Sequence, residues 1–141
     1  MLIDIEHAKR IGRETVAILQ AGNYTAASGR TIVLDRAARR MSERHDRISA
    51  GSSDAAIRAQ RARTRIAVEN ASVLDVGRRM AGDGAVAALN FASATVPGGG
   101  FEWGALAQEE SIARSSGLFH ALDGRAMYVY HCARRDPMYS D

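Results

Sequence analysis

The stretch "AVAALNFASATVPGGGFEWGALAQEE" (85–110) constrains the fold more than any other part of the chain. Within residues 85–92, Asn90 is the one side chain that is not apolar. A strand with no polar face is buried on both sides, as in a parallel sheet. This run passes through Pro97 into Gly98, Gly99 and Gly100, and after seven further residues come Gln108, Glu109 and Glu110. A linker accounts for the glycines, and a solvated helix face accounts for the glutamates. Neither accounts for both in one apolar setting.

The flanking segments supply the rest of an alternating pattern. "TRIAV" (64–68) predicts another strand, and Asn70 or Ser72 can cap a helix through Met80 that ends at Gly82 and Gly84. Strand, helix, strand, glycine loop and helix follow one another from 64 to 117, which argues for an α/β fold. Upstream, Ile5, Ala8, Ile11, Val16 and Leu19 recur near the helical period and predict a helix over 5–21, stopped by "AGN". "TIVL" (31–34) predicts a strand, Asp35 can cap a helix through Arg44, and 46–60 reads as a loop. A further strand is expected near 127–130.

With 141 residues and 46% hydrophobic composition, the chain is expected to bury a core. Cys132 is the single cysteine, so neither an intramolecular disulfide nor a multi-cysteine metal site is possible. His7, His45, His120 and His131 show no HExxH spacing, and no metal or cofactor is expected. His120, His131 and Cys132 read as ordinary structural residues. The N-terminus "MLIDIEHAKR" places acids where a signal peptide is basic and then apolar, and no run reaches a membrane span. A cytoplasmic location and no membrane partner are therefore expected.

The formal charge of +3 and pI of about 9.5 suit an anionic ligand. Lys9 is the only lysine among 19 basic residues. From Arg36 to Arg65 nine arginines face three acids, Glu43, Asp46 and Asp54. Two readings stand here: a contact surface for a polyanion, which arginine suits, or a solvated helix and loop.

The loop is where ligands bind in α/β sheets, beyond a strand end and before a helix N-terminus. Three residues without Cβ let backbone N–H groups approach an anion, and the helix starting near Ala105 adds its positive end. No Gly-Lys-Ser/Thr follows, and the Rossmann spacing is absent. A plain turn explains the glycines equally well. Glu109 and Glu110 are adjacent, so on a helix they point about 100° apart and reach different parts of one ligand. That differs from carboxylates flanking a scissile bond from opposite sides.

"GGG", the spacer "FEWGALA" and "QEE" together resemble the signature of poly(ADP-ribose) glycohydrolases. "LNFASA", "ESIARSSGL" and the upstream "ILQAGNYTAASGRTIVL" are similar to the microbial-type branch, whose catalytic domain is a macrodomain. The resemblance implies a three-layer α/β/α core with a mixed sheet after an N-terminal helical segment. Residues 1–60 are then accessory, and 61–141 form the first part of the catalytic core. It implies hydrolysis of the ribose–ribose O-glycosidic bond of poly(ADP-ribose), with release of ADP-ribose. Gly98, Gly99 and Gly100 would wrap the diphosphate and distal ribose. Glu109 would hold a ribose hydroxyl with Gln108 in support, and Glu110 would serve as acid and then base. Asn90 and Ser93 stand at positions that contact the distal ribose, although many relatives carry asparagine where this chain has Ser93. Phe101 and Trp103 either shape the ribose end or pack the loop.

Thr95 and Val96 occupy positions where the family often has a basic residue and asparagine. The family also continues past "DPMYSD", so the chain is expected to be an N-terminal part of the domain or a naturally shortened product. A non-catalytic ADP-ribose-binding macrodomain and an inactive fragment are the alternatives. The partners implied are modified proteins carrying ADP-ribose or its polymer, with a missing C-terminal half or an oligomeric partner as a further possibility. Nucleic acid is a lesser alternative, through the arginines from Arg36 to Arg65.

Overall fold

The computed structural model describes residues 3–34 and 65–134. The helix expected from Asp35 to Arg44, the loop at 46–60 and the arginine-rich segment other than Arg65 lie outside them. Packing divides the chain into two compact units, Met1–Arg44 with Leu89–Asp141, and His45–Ala88.

In the first unit, α1 spans Ile5–Ala21, as the apolar period predicts. The Asp4 carboxylate accepts from the His7 N–H at 2.7 Å and caps its start. Gly22 closes it in the left-handed region (φ 70°), with its N–H on the Ile18 carbonyl at 2.9 Å. The chain then turns into β1, Asn23–Thr25, which pairs antiparallel with β2, Thr31–Val33, with Tyr24 opposite Ile32. The strand expected at 31–34 therefore forms, as one arm of a hairpin.

After the glycine loop come a 3₁₀ turn, Phe101–Trp103, and three helices: α3, Gln108–Ser115, α4, Leu118–Leu122, and α5, Ala126–Arg134. Helix α1 packs on the 3₁₀ turn and on α3. The approach is close because Ala8 and Gly12, one turn apart on one face, are both buried. A Cβ on Gly12 would stand 2.5 Å from the Phe101 carbonyl oxygen. The Thr15 hydroxyl, on the same side, donates to the Arg114 carbonyl at 2.8 Å. Among the described residues, Ala8, Phe101, Ala113, Ala121 and Tyr128 are the buried apolar side chains, and the Phe101 ring lies 5.3 Å from that of Phe119.

In the second unit, the described residues hold α2, Val73–Met80, in agreement with the sequence. Ser72 caps it by accepting from the Asp75 N–H at 3.1 Å and donating to the Asp75 carboxylate at 2.6 Å. Arg79 pairs with Glu69.

Three expected strands are corrected. Residues 65–68 and 85–91 follow no strand ladder, and 127–130 lie inside α5. A run apolar on both faces needs a neighbour on each side. Among the described residues none offers a backbone ladder to these segments, and Leu89 and Phe91 are each 71% exposed. At 127–130 a β-prone composition gives way to packing, because the helix is what buries Tyr128. Helices with a small antiparallel sheet remain consistent with an α/β class. No helix among the described residues is long and apolar enough to cross a membrane.

Candidate functional site

The site forms where the loop folds back on the start of α3. Ser93 begins it: its hydroxyl accepts from the backbone N–H groups of Thr95 (3.3 Å) and Val96 (3.0 Å), turning the chain toward Pro97. The Gly99 N–H then closes a turn on the Val96 carbonyl at 3.0 Å. The Gly100 carbonyl accepts from both Trp103 (3.0 Å) and Ala105 (3.1 Å), which fixes the 3₁₀ turn beyond it. Phe101 anchors that turn, 1% exposed and packed at a tilt against Phe119, while Trp103 stays exposed.

Helix α3 starts at Gln108 with no side-chain cap, so Glu109 and Glu110 stand in a first turn whose dipole favours carboxylates. The three residues of the QEE run each hold a different part of the preceding chain. Gln108 donates to the Leu89 carbonyl and accepts from the Phe91 N–H, both at 2.8 Å, as a neighbouring strand would. Glu109 Oε2 accepts from the Ser93 N–H at 2.6 Å. Glu110 Oε1 accepts from the Gly100 N–H at 3.0 Å. The 100° divergence of adjacent helical residues thus sends the carboxylates to two sides of one loop.

Gly99 lies between them. Its φ is +61°, and a Cβ there would collide with the Glu110 carboxylate and stand 3.3 Å from Glu109 Oε2. Only glycine lets the backbone pass this close.

Each carboxylate keeps its second oxygen free of protein partners. Glu109 Oε1, Glu110 Oε2 and Asn90 Oδ1 are buried and unpartnered. Glu109 is 3% exposed. Such a group costs about 1–3 kcal/mol when left unsatisfied, so three acceptors together fit a ligand that brings several donors. The structure therefore gathers Asn90, Ser93, Gly98, Gly99, Gly100, Gln108, Glu109 and Glu110 into one place. The Phe101 ring faces the core. The amides of Gly99 and Gly100, expected from sequence to face an anion, are spent on Val96 and Glu110.

Two residues escaped the sequence reading. Arg114, buried, donates to the Ala105 carbonyl and lies near Glu110. Burial pushes its guanidinium below its usual value, and the Glu110 carboxylate opposes that shift. Its i+4 spacing from Glu110 was the available signal. Tyr128, in the segment expected as a strand, is buried near Glu109 and had none. Among the described residues no group of histidine, cysteine, aspartate and glutamate could hold a metal ion.

No curated protein sequence matches the chain significantly. Among solved structures, a glutamate-to-alanine mutant of the poly(ADP-ribose) glycohydrolase from Thermomonospora curvata is 38% identical with a TM-score of 0.82. That match covers 96% of this chain and 51% of the other. The same organism's enzyme bound to the inhibitor ADP-HPD is 36% identical with a TM-score of 0.76, again over 96% and 51% of the two chains. The chain thus spans about half the length of the solved structures it matches. A model of the microbial-type PARG catalytic domain matches residues 12–141, and the chain belongs to that family.

Proposed function

We propose that these residues bind the ADP-ribose end of poly(ADP-ribose) and contribute to hydrolysis of its ribose–ribose O-glycosidic bond. The observation that carries this reading is the trio of buried, unpartnered acceptors, Asn90 Oδ1, Glu109 Oε1 and Glu110 Oε2. A ribose presents hydroxyl donors to such a set. The binding of the inhibitor ADP-HPD by the Thermomonospora curvata enzyme supports the same reading.

In this mechanism Glu109, held by the Ser93 N–H, fixes a ribose hydroxyl, and Gln108 keeps the 89–91 segment beside it. Glu110, held on one oxygen by Gly100, donates a proton from the other to the leaving ribose oxygen. The C–O bond breaks to an oxocarbenium-like centre. Glu110 then takes a proton from water as the water oxygen bonds to that carbon, which releases ADP-ribose and restores the acid. Gly99 lets the loop backbone lie against both carboxylates, and with Gly98 and Gly100 it forms the loop around the diphosphate and ribose. The macrodomain-like three-layer arrangement belongs to the same proposal, supported by the TM-score of 0.82.

One observation favours a second reading, binding without turnover by these residues alone. Leu89 and Phe91, which flank Asn90, are each 71% exposed, so this segment lacks the apolar cover that would exclude water from the reaction. Release of ADP-ribose from the polymer separates the two. Under the catalytic reading the wild-type chain releases ADP-ribose, and Glu110→Gln loses at least about 100-fold in rate while ADP-ribose affinity stays within about threefold. Binding by both proteins with release by neither supports the second reading.

A further inference from the structure

Tyr128 is 6% exposed, yet its hydroxyl has no hydrogen-bond partner. Cys132 follows one turn later on the same face of α5, and its thiol lies 3.6 Å from the Thr95 carbonyl. That face therefore lies against the segment entering the glycine loop. The same segment supplies the Ser93 N–H that holds Glu109 Oε2, while Glu109 Oε1 is buried and unpartnered. Burial, and then the Glu109 carboxylate, push the phenol up to about 12, so at neutral pH it is a hydroxyl donor. Two buried, unpartnered groups thus border the 93–95 segment, a donor and an acceptor. One alcohol hydroxyl satisfies both, accepting from the phenol and donating to the carboxylate. The carboxylates of Glu109 and Glu110 make this place unsuited to a diphosphate, whereas a neutral polyol meets no such repulsion.

We propose that Tyr128 is a ligand-binding residue of this site, its hydroxyl and Glu109 Oε1 together gripping one hydroxyl of the distal ribose of ADP-ribose. This assignment rests on the functional reading above and adds a contact from a helix outside the glycine loop and the QEE run. It makes Tyr128 a determinant of preference for ADP-ribose over ADP, which lacks the distal ribose.

Titration of ADP-ribose and of ADP into the full chain, with wild type beside Tyr128→Phe, tests it. The expected result is a roughly tenfold loss of ADP-ribose affinity in Tyr128→Phe, with ADP affinity unchanged. Its melting temperature should equal or exceed that of wild type, because the hydroxyl has no partner in the protein. Unchanged ADP-ribose affinity overturns the assignment, as does an equal loss for both ligands. A fall of several degrees in melting temperature also overturns it, since the hydroxyl would then be bonded within the protein. Absence of ADP-ribose binding by wild type is a different failure, which overturns the functional reading and this assignment with it.

Discussion

Glu109 and Glu110 share an arrangement: each is a carboxylate with one oxygen held by a backbone amide and the other buried without a partner. The amide bond orients each carboxyl group toward the loop. Arg114 adds a buried cation that ties Ala105 to the same helix and lies near Glu110. The neighbouring phenol of Tyr128 makes pH dependence a test of this arrangement. Its pKa in the folded chain, about 12, stands above the ordinary value of about 10. The stability this group contributes is therefore fully present below about pH 10 and is lost as pH rises toward 12. Melting temperature is expected to fall across that window in wild type, and to fall less in Tyr128→Phe. Equal slopes for the two proteins would show that the phenol is not the titrating group.

Among the elements, α1 is the one that sets where the loop sits. Its Ala8 and Gly12 face lets the 3₁₀ turn come to backbone contact, and Thr15 bonds to the end of α3. Gly12→Ala decides between two opposed effects. The helix gains about 1 kcal/mol of propensity, but overpacking against the turn backbone costs roughly 1–3 kcal/mol. The collision is with a carbonyl oxygen and a Cα, neither of which can rotate away as a side chain end would. Net destabilisation is expected, seen as a melting temperature lower by a few degrees, with weaker ADP-ribose binding because the turn follows directly on Gly100. A more stable Gly12→Ala variant would contradict this packing.

The same elements show what was legible in the sequence. Helices α1 and α2 were readable because local signals agree: the apolar period and the "AGN" stop for α1, and the Ser72 cap for α2. The QEE helix was readable from its motif. The 85–91 segment was not, since a strand is defined by partners, and here the Gln108 side chain supplies the bonds at Leu89 and Phe91. Tyr128 was hidden for a related reason. "AMYVY" is locally β-prone, and only packing makes it helical and turns the phenol inward. The pairing of Glu109 with Ser93 and Glu110 with Gly100 was equally beyond periodicity, because it depends on how the loop folds back.

Over the whole chain, a net charge of +3 coexists with a site built of two carboxylates. Under the proposed function, the site itself would meet the hydroxyls of a ribose rather than an anion. Ile66 and Val68 in one unit, and Leu89 and Phe91 in the other, expose large apolar surface. The family match covers nearly the whole chain, so its membership does not depend on the loop alone. Whether the glycine loop and the two glutamates make one ADP-ribose site is decided by calorimetric titration of ADP-ribose. Wild type is expected to bind one ADP-ribose saturably. Gly99→Glu drives a side chain and a negative charge between Glu109 and Glu110, and is expected to show no binding while retaining its helical content. Equal binding by the two proteins, or none by wild type, would refute the single site.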